Sequence, residues 1–488
     1  MADNLKQKAV SGMMWAALQK YSTMFIQFIS GIILARLLTP YDYGCIGMLM
    51  IFIVLSESFI DGGFGSALIQ KKHPTQEDYS TIFFWNIAMA SVLYTVLFFS
   101  APAISRFYNI PLLCSVLRVQ GIILFVYAFN VVQRNQLRKM LNFKVLSTVA
   151  TMTSVVALVV TVLMAYYGFG VWSLVTQMIL VAAIPAVVFW FYLKWRPSWK
   201  FSWQSFKELF GFGSFMFLTH ILNQFGQQIQ GLLIGKFFNP TTMGFYSKAQ
   251  NTENLASLSI SSVMTQVTYP LYAEVQDNRK SLGNMIKRIT MTLAFLSFPL
   301  LFILILLAKP IFILLYSDRW IQSVPIFQVL CIAGLAGCLQ SINLQAISAI
   351  GKSRTMFVWT LVKRIVGVTA VFTGLLFWDM KGLLLGVVFN YWFSYFVNIG
   401  LVSKHIGYKW YQQVKDLFPV AMASAVITLI VYSIGLVFHL EMYQDGLVKF
   451  LIYLLLYSGW SIVFKPEAYR YSLGILQLLK SKFNKRII

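Results

Sequence analysis

The chain has 488 residues, of which 58% are hydrophobic and 11% are charged. A soluble domain is about half apolar and about a quarter charged, so this composition excludes a soluble globular protein. The formal net charge of +23 does not indicate a nucleic-acid partner, because the basic residues lie between long apolar runs, where they are typical of membrane topology.

Apolar segments of about twenty residues, long enough to cross a ~30 Å hydrocarbon core, recur along the chain. Residues 291–308 and 420–438 each contain no charged side chain. We predict an all-α polytopic membrane protein. Its fourteen transmembrane helices are expected at 10–35, 43–64, 80–103, 112–133, 146–167, 170–193, 208–235, 244–269, 289–315, 322–349, 356–378, 381–402, 417–438 and 446–464.

The basic residues alternate with these spans. If the N-terminus is cytoplasmic, 29 of the 39 Lys and Arg residues lie on the cytoplasmic side and 7 on the outer side. This asymmetry is the positive-inside pattern, and it predicts that both termini are cytoplasmic. No loop between spans exceeds about twenty residues, which leaves no room for a soluble catalytic domain.

The end of the first span and the end of the seventh span have similar sequences, at an offset of 200 residues. ISGIILARLLTPYDYGC (29–45) aligns with IQGLLIGKFFNPTTMGF (229–245). A common helix–Pro–helix turn is the alternative explanation. Four matched positions, where six-span halves would begin, favour a true repeat, and parallel repeats bind substrate at their interface. The matched pairs are Gly31 with Gly231, Arg36 with Lys236, Pro40 with Pro240, and Gly44 with Gly244.

The repeat predicts two pseudo-symmetric six-helix lobes, at 1–200 and 201–402. Two additional helices follow at 403–464, and a basic cytoplasmic tail occupies 465–488. Spans 3, 5, 6, 13 and 14 carry few polar groups, and we expect them to face lipid.

Polar side chains are concentrated on a few spans. Hydrogen bonding between helices explains single Ser or Gln residues, but it explains the density on spans 7 and 8 poorly. We therefore predict a hydrated cavity lined by spans 1, 2, 7 and 8. Its candidate residues are Lys20, Gln27, Arg118, Gln224, Gln227, Lys248, Asn251 and Asn254.

The charged residues within spans have two interpretations. Glu57 and Asp61 share a helix face, and helical rise places Glu57 at a depth where it can meet Lys20. The pair is either a structural ion pair or a gate. Arg118 and Lys248, which lie near the outer ends of their helices, either snorkel or bind an anion such as a diphosphate. Glu57, Asp61 and Glu253 are the acidic candidates for a gate or for coupling to H⁺ or Na⁺.

Conventional catalytic signatures are missing from the sequence. The four histidines are scattered, so no metal site is predicted, and no nucleophile–base arrangement or nucleotide loop is present. The segment FIDGGFGSALIQKKHPTQEDYS (59–80) contains glycines that permit a sharp turn or a close helix approach. We expect no cofactor and no enzymatic activity.

LARLLTPYDYG (34–44) and FIDGGFGSALIQKK (59–72) resemble the polysaccharide transporter (Wzx-type) branch of the MOP flippase superfamily. Within that branch the chain is most similar to the colanic-acid and teichuronic-acid exporter group. The resemblance covers the full length and implies a MOP/MATE-like fold in the bacterial inner membrane. It implies a flippase that moves an undecaprenyl-pyrophosphate-linked oligosaccharide between leaflets, for lipopolysaccharide, capsule or exopolysaccharide synthesis. The implied partners are membrane lipids, this polyprenyl-diphosphate oligosaccharide and other polysaccharide-assembly proteins.

Two alternatives remain open. A multidrug exporter of the same fold would need a net acidic cavity for cations, whereas the candidate charges within the spans are three basic residues, Lys20, Arg118 and Lys248, and three acidic residues, Glu57, Asp61 and Glu253. A membrane polysaccharide polymerase or acyltransferase is disfavoured, because no large outer loop and no His-centred site are found. The sequence does not identify the sugar or the coupling ion.

Overall fold

The computed structural model describes residues 2–275, 277–437 and 440–472, which contain helices and no β-strand. A short 3₁₀ helix, Asp318–Trp320, precedes the α-helix that begins at Ser323. The α-helices are α1 (Ala2–Leu37), α2 (Pro40–Asp61), α3 (Phe64–Gln70), α4 (Gln76–Tyr108), α5 (Leu112–Gln120), α6 (Ile123–Lys139), α7 (Phe143–Tyr166), α8 (Val171–Tyr192), α9 (Trp203–Phe237), α10 (Pro240–Glu274), α11 (Arg279–Leu306), α12 (Ala308–Tyr316), α13 (Ser323–Ala349), α14 (Ser353–His405), α15 (Trp410–Val437) and α16 (Met442–Phe464).

Every predicted span coincides with a helix or part of one, but three spans are interrupted. Gly62 and Gly63, with φ of 53° and 78°, separate α2 from the short helix α3, as the glycine-rich segment predicted. The fourth span divides into α5 and α6 near Gly121, and the ninth divides into α11 and α12. In α14, Trp378 and Asp379 have non-helical dihedral angles, which create two arms, 353–377 and 380–405.

The two turns of the repeat are built alike. Each has a proline as the first residue of its helix, where the missing N–H leaves no hydrogen bond unmade. Thr39 and Asp42 form a reciprocal capping box at α2. At α10, the Asn239 side chain accepts a hydrogen bond of 2.8 Å from the backbone N–H of Thr242. The same local chemistry therefore starts α2 and α10.

Ten helical segments of the described chain are long and apolar enough to cross a membrane. The protein is therefore a multi-pass membrane protein. The spans predicted to face lipid correspond to α4, α7, α8, α15 and α16. In the most apolar stretch of each of these helices, 17–28% of the residues are buried, against 39–61% in the other five segments. The low burial agrees with a lipid-facing position.

The chain forms two compact units, Met1–Ser247 (unit 1) and Lys248–Ile488 (unit 2). In unit 1, α1 packs on α7, and α9 packs on α2, α3 and α4. In unit 2, α13 packs on α11 and α14, and α11 also packs on α15. The repeat boundary near residue 200 and the two-lobe plan stay predictions, because packing and repeat boundaries need not coincide. Residues 473–488 of the predicted basic tail lie outside the described residues.

Candidate substrate site

Polar side chains of α1 and α9 are accessible within apolar helices of unit 1. Gln27 and Gln227 are exposed, whereas Lys20 and Gln224 are half-buried. On α9, His220 is also exposed, and its Nε2 lies 3.4 Å from Nε2 of Gln224. Polar groups are costly against lipid tails unless they face protein or water. The hydrated cavity lined by these residues stays a prediction.

The predicted pair between Lys20 and Glu57 is not formed. The ion pairs of the described residues do not include it, and Arg134 of α6 is the charged group that acts on Glu57. Helical rise gives the depth of a residue in the membrane but not the direction of its side chain. The pairing of Lys20 with Glu57 was predicted from depth alone, and this is why it is wrong.

A charge ladder joins α2 to α6 in unit 1. Glu57 and Asp61 lie one turn apart on α2, and Arg134 and Arg138 lie one turn apart on α6. Arg134 acts electrostatically on Glu57, and Arg138 acts on Asp61. Tyr127 of α6 is within electrostatic range of all four charges. The i, i+4 spacing of the two arginines is visible in the sequence, but the topology prediction counted both residues only as loop charges.

Asp61 also has a local structural role. It accepts hydrogen bonds from the backbone N–H groups of Gly63 and Gly65 at the start of α3. At the other end of α3, Nζ of Lys139 donates to the carbonyl oxygen of Leu68 at 3.0 Å and to that of Lys71. An anion at the N-terminus and a cation at the C-terminus both match the helix dipole. The assignment of Asp61 to a gate or to coupling stays a prediction.

Lys71 anchors the link after α3. Its Nζ lies 3.1 Å from a carboxylate oxygen of Asp78 and 3.0 Å from one of Glu208. Burial lowers the pKa of Lys71, but the hydrogen bonds to Glu208 and Asp78 outweigh it, so the pKa lies above its ordinary value. Lys71 is therefore charged at neutral pH, where it joins the start of α4 to the start of α9.

The two repeat turns contact each other within unit 1. A methyl group placed on Gly44 would lie 1.7 Å from the carbonyl oxygen of Pro240, and one placed on Gly244 would lie 1.8 Å from that of Pro40. Gly31 and Gly231 lie one helix earlier, where Gly231 approaches the carbonyl oxygen of Gly47. The equivalence predicted from the sequence is thus accompanied by a reciprocal contact.

Arg36 and Lys236 lie at the ends of α1 and α9, and both side chains are exposed. Nζ of Lys236 donates to the carbonyl oxygen of Phe107 at 2.8 Å and lies 4.2 Å from the centre of that ring. This contact is typical of a cation at a helix C-terminus and fits the snorkelling interpretation of Lys236.

Below the turns, α2 and α9 run antiparallel in contact, and we call this contact the α2–α9 seam. Nδ1 of His220 lies 3.1 Å from Oγ of Ser58, and the Phe59 and Phe217 rings meet edge to face at 5.4 Å. The residues that approach most closely are glycines, which permit the two backbones to touch. The pairs of the seam are Gly47–Gly231, Ser58–His220, Phe59–Phe217 and Gly63–Gly213.

Arg118 is held by α4 of unit 1. Its Nε donates to the carbonyl oxygen of Phe98 at 3.3 Å, and its guanidinium lies 4.2 Å from the centre of the Phe98 ring. Such a cation–π contact stabilises by roughly 0.5–2 kcal/mol. The geometry favours a structural role for Arg118, and its anion-binding role stays a prediction.

Lys248 is buried in unit 2. Its Nζ lies 3.9 Å from the centre of the Tyr316 ring and 5.6 Å from that of Trp320. The aromatic faces stabilise the ammonium group where water is excluded. Arg118 and Lys248 each contact aromatic rings of their own unit, and the anion-binding role of both stays a prediction.

Glu253 is an acidic residue buried within α10, 6% exposed. Ser257 interacts with its carboxylate, but Oε1 has no hydrogen-bond partner among the described residues. A methyl group placed on Gly334 of α13 would lie 2.2 Å from that oxygen, so Gly334 makes the space that the carboxylate occupies. An incompletely bonded buried carboxylate is costly unless it is protonated or binds a cation. On the same helix, Asn251 is exposed and Asn254 is half-buried.

An apolar groove of about 870 Å³ lies in unit 2 between α11, α15 and α16. Its walls include Met291, Val426, Leu456 and Trp460. Lys415, Asp416 and Glu467 border one end, where Lys287 bridges the two carboxylates at 3.3 Å and 2.8 Å. The groove therefore has an apolar length and an ionic end. In the part of the chain that the structure describes, no three His, Cys, Asp or Glu side chains are grouped to hold a metal.

Two solved structures share the fold. The chain matches the lipid II flippase MurJ in an inward closed conformation with a TM-score of 0.75 and 14% identity, over 93% of this chain and 98% of that one. It matches an inward-facing multidrug resistance MATE family transporter of the MOP superfamily with a TM-score of 0.63 and 15% identity. That match covers 79% of this chain and 94% of the transporter. At these identities the likeness concerns the fold alone, and it agrees with the all-helical membrane fold that the sequence predicted.

Sequence relatives give the family. The teichuronic acid biosynthesis protein TuaB of Bacillus subtilis is 25% identical over 358 residues, 73% of this chain and 74% of that protein. The succinoglycan biosynthesis transport protein ExoT of Rhizobium meliloti is 24% identical over 362 residues, 74% and 73% of the two chains. The family model described as "Polysaccharide biosynthesis protein" matches residues 33–325, more than half of the chain. The chain therefore belongs to the polysaccharide biosynthesis protein family, as the two sequence motifs predicted.

Proposed function

We propose that this protein is a flippase that moves an undecaprenyl-pyrophosphate-linked oligosaccharide from the cytoplasmic to the periplasmic leaflet of the bacterial inner membrane. The product would serve lipopolysaccharide, capsule or exopolysaccharide synthesis. The observation that carries the proposal is the row of accessible polar side chains on α1 and α9, including Gln27 and Gln227, in a multi-pass membrane protein of this family. Sugars need such hydrogen-bonding groups, and lipid does not.

The topology that we propose has fourteen spans with both termini in the cytoplasm. The ten segments identified by length and composition become fourteen if α1, α9 and α10 also cross and α14 crosses twice, once with each arm. The division of basic residues, 29 to 7, then supports a cytoplasmic N-terminus. Labelling of single cysteines introduced beside Lys200 and Lys381, which should lie on opposite sides, would test this topology.

The mechanism that we propose is alternating access. In the proposed orientation, the reciprocal contact of Gly44 and Gly244 lies at the outer end of the helices, where it supports a closed outer gate. Glu57, Asp61 and Glu253 remain the candidates for a gate or for coupling to H⁺ or Na⁺. Since a carboxylate with an unbonded oxygen favours cation or proton uptake, Glu253 is the stronger coupling candidate.

The groove of unit 2 supports a substrate with a lipid tail. Its walls are apolar, and its ionic end lies on the proposed cytoplasmic side near Lys415. A polyprenyl chain could leave the lipid for this groove at little cost, because the groove walls are as apolar as the lipid tails.

The decisive experiment determines the sidedness of the lipid-linked repeat unit in cells that lack this protein. Accumulation on the cytoplasmic leaflet, with loss of a surface polymer, is expected. Accumulation on the periplasmic leaflet would instead indicate a polymerase, because flipping would be intact. Normal traffic of the lipid, combined with new sensitivity to cationic compounds, would indicate a multidrug exporter, the function named for the MATE neighbour.

A further inference from the structure

Two arginines at the end of α6 are accessible in unit 1. Arg134 and Arg138 are both exposed, and both lie in the last two turns of the helix. Residues four apart on a helix have Cβ atoms about 5–6 Å from each other, so the two guanidinium groups can act on one ligand. In the proposed topology this end of α6 lies at the cytoplasmic surface, at the depth of lipid headgroups.

Carboxylates of α2 act on these arginines electrostatically without forming an ion pair with them. The ion pairs of the described residues, which require a nitrogen–oxygen distance of 4.0 Å or less, include neither arginine. Glu57 and Asp61 nevertheless act on Arg134 and Arg138 electrostatically. The two guanidinium groups therefore lie within the electrostatic influence of Glu57 and Asp61, and their N–H donors remain available to another anion.

Other cations near the ladder are already engaged. Lys139, the next residue of α6, donates to the carbonyl oxygens of Leu68 and Lys71. His220 lies against Ser58 and acts on Asp61. Arg118, for which the sequence left anion binding open as one of two roles, is packed on Phe98. Arg134 and Arg138 are therefore the accessible guanidinium pair beside the polar face of unit 1.

We propose that Arg134 and Arg138 form the loading site for the diphosphate group of the substrate, an inference that rests on the proposed function. Arginine binds phosphate oxygens with two parallel N–H donors, so each guanidinium can hold one phosphoryl group of a diphosphate. Glu57 and Asp61 compete for the same donors. This competition makes the binding reversible, as a loading site requires.

The test measures binding of undecaprenyl diphosphate, undecaprenyl monophosphate and inorganic diphosphate to the full-length protein in lipid nanodiscs. The R134Q/R138Q variant is compared with wild type and with a matched control, K194Q/K200Q, which removes two charges from the same proposed face. We expect the first variant to bind undecaprenyl diphosphate at least about tenfold more weakly, the equivalent of 1.4 kcal/mol, and the control to bind as wild type does.

The conservative variant R134K/R138K is the control for a loss of binding that is caused by misfolding. It retains both charges but loses the planar fork, so we expect an intermediate affinity. If R134Q/R138Q loses affinity for undecaprenyl diphosphate only, the site recognises the lipid-linked diphosphate. If it loses affinity for inorganic diphosphate to the same extent, the site recognises the diphosphate group from either source. Wild-type affinity in R134Q/R138Q overturns the inference but leaves the flippase proposal intact. Failure of the wild-type protein to bind any prenyl diphosphate overturns both.

Discussion

Gly44 and Gly244, 200 positions apart in the chain, each lie against the carbonyl group of the proline that begins the other's helix. The contact is reciprocal, as expected when equivalent surfaces of two repeats meet around a pseudo-twofold axis. It involves two backbones, so a side chain at either glycine must displace a peptide group. This relationship makes the turns the most sensitive part of the proposed outer gate.

Gly44→Ala and Gly244→Ala should each impair transport. The added methyl groups would lie 1.7 Å and 1.8 Å from a carbonyl oxygen, and overpacking of this kind costs about 1–3 kcal/mol. Complementation of surface-polymer synthesis in a deletion strain measures the effect. The control is Gly400→Ala in α14, where the methyl group meets open space. Equal activity of all three variants would show that the turns separate freely.

Substitutions of Asp61 separate capping from coupling. The amide oxygen of Asp61→Asn can still accept hydrogen bonds from Gly63 and Gly65, whereas Asp61→Ala leaves those N–H groups unsatisfied, at about 1–3 kcal/mol. If capping is the main role, Asn should retain most of the transport and thermal stability, and Ala should lose both. An Asn variant that is stable but inactive would instead support a role in coupling.

Glu253→Gln should leave substrate binding intact but remove the dependence of transport on an ion gradient. The side chain keeps its shape in the space beside Gly334 but can no longer exchange a proton or neutralise a cation. Transport into proteoliposomes, with and without an imposed H⁺ or Na⁺ gradient, measures this dependence. An unchanged response to both gradients would remove Glu253 from the coupling candidates.

The R118Q/K248Q variant should be less stable than wild type and retain transport. Each substitution removes a cation from aromatic contact, with Phe98 for Arg118 and with Tyr316 and Trp320 for Lys248. Each contact contributes roughly 0.5–2 kcal/mol. Thermal unfolding in detergent and surface-polymer complementation are measured together. Loss of transport at unchanged stability would restore the anion-binding interpretation of these two residues.

Filling the groove of unit 2 should slow transport of the lipid-linked substrate. Gly459 lines the groove, and no atom lies within 4 Å of a methyl group placed there, so Gly459→Trp can be accommodated without unfolding. Gly400→Trp adds the same bulk at another open position and is the matched control. Equal rates in the two variants would mean that the groove is not used by the polyprenyl chain.

The helices could be predicted from the sequence, because apolar runs and charge alternation are properties of single segments. The break at Gly62 and Gly63 was also visible, since consecutive glycines permit the positive φ angles found there. Side-chain partners could not be predicted in the same way. Arg134 rather than Lys20 acts electrostatically on Glu57, because the rotation of a helix about its axis depends on contacts that the sequence of one helix does not contain.

The polar helices could be read from the sequence, but the cavity that they are predicted to line stays a prediction. Gln27 and Gln227 are exposed, and polar residues in apolar spans are costly unless they face protein or water. Arg134 was missed because it was counted as a loop charge, although its helix continues to Lys139. Helix ends extend beyond the apolar core, and hydropathy alone does not define them.

The α2–α9 seam also sets the order of events during biosynthesis. Gly47 is translated 184 residues before its partner Gly231. At roughly 5–20 residues per second, α2 enters the membrane roughly 10–40 s before α9 exists. During that interval Ser58 and Phe59 of α2 lack their partners His220 and Phe217 on α9. Insertion factors that retain α2 until α9 is made would therefore determine the yield of this protein.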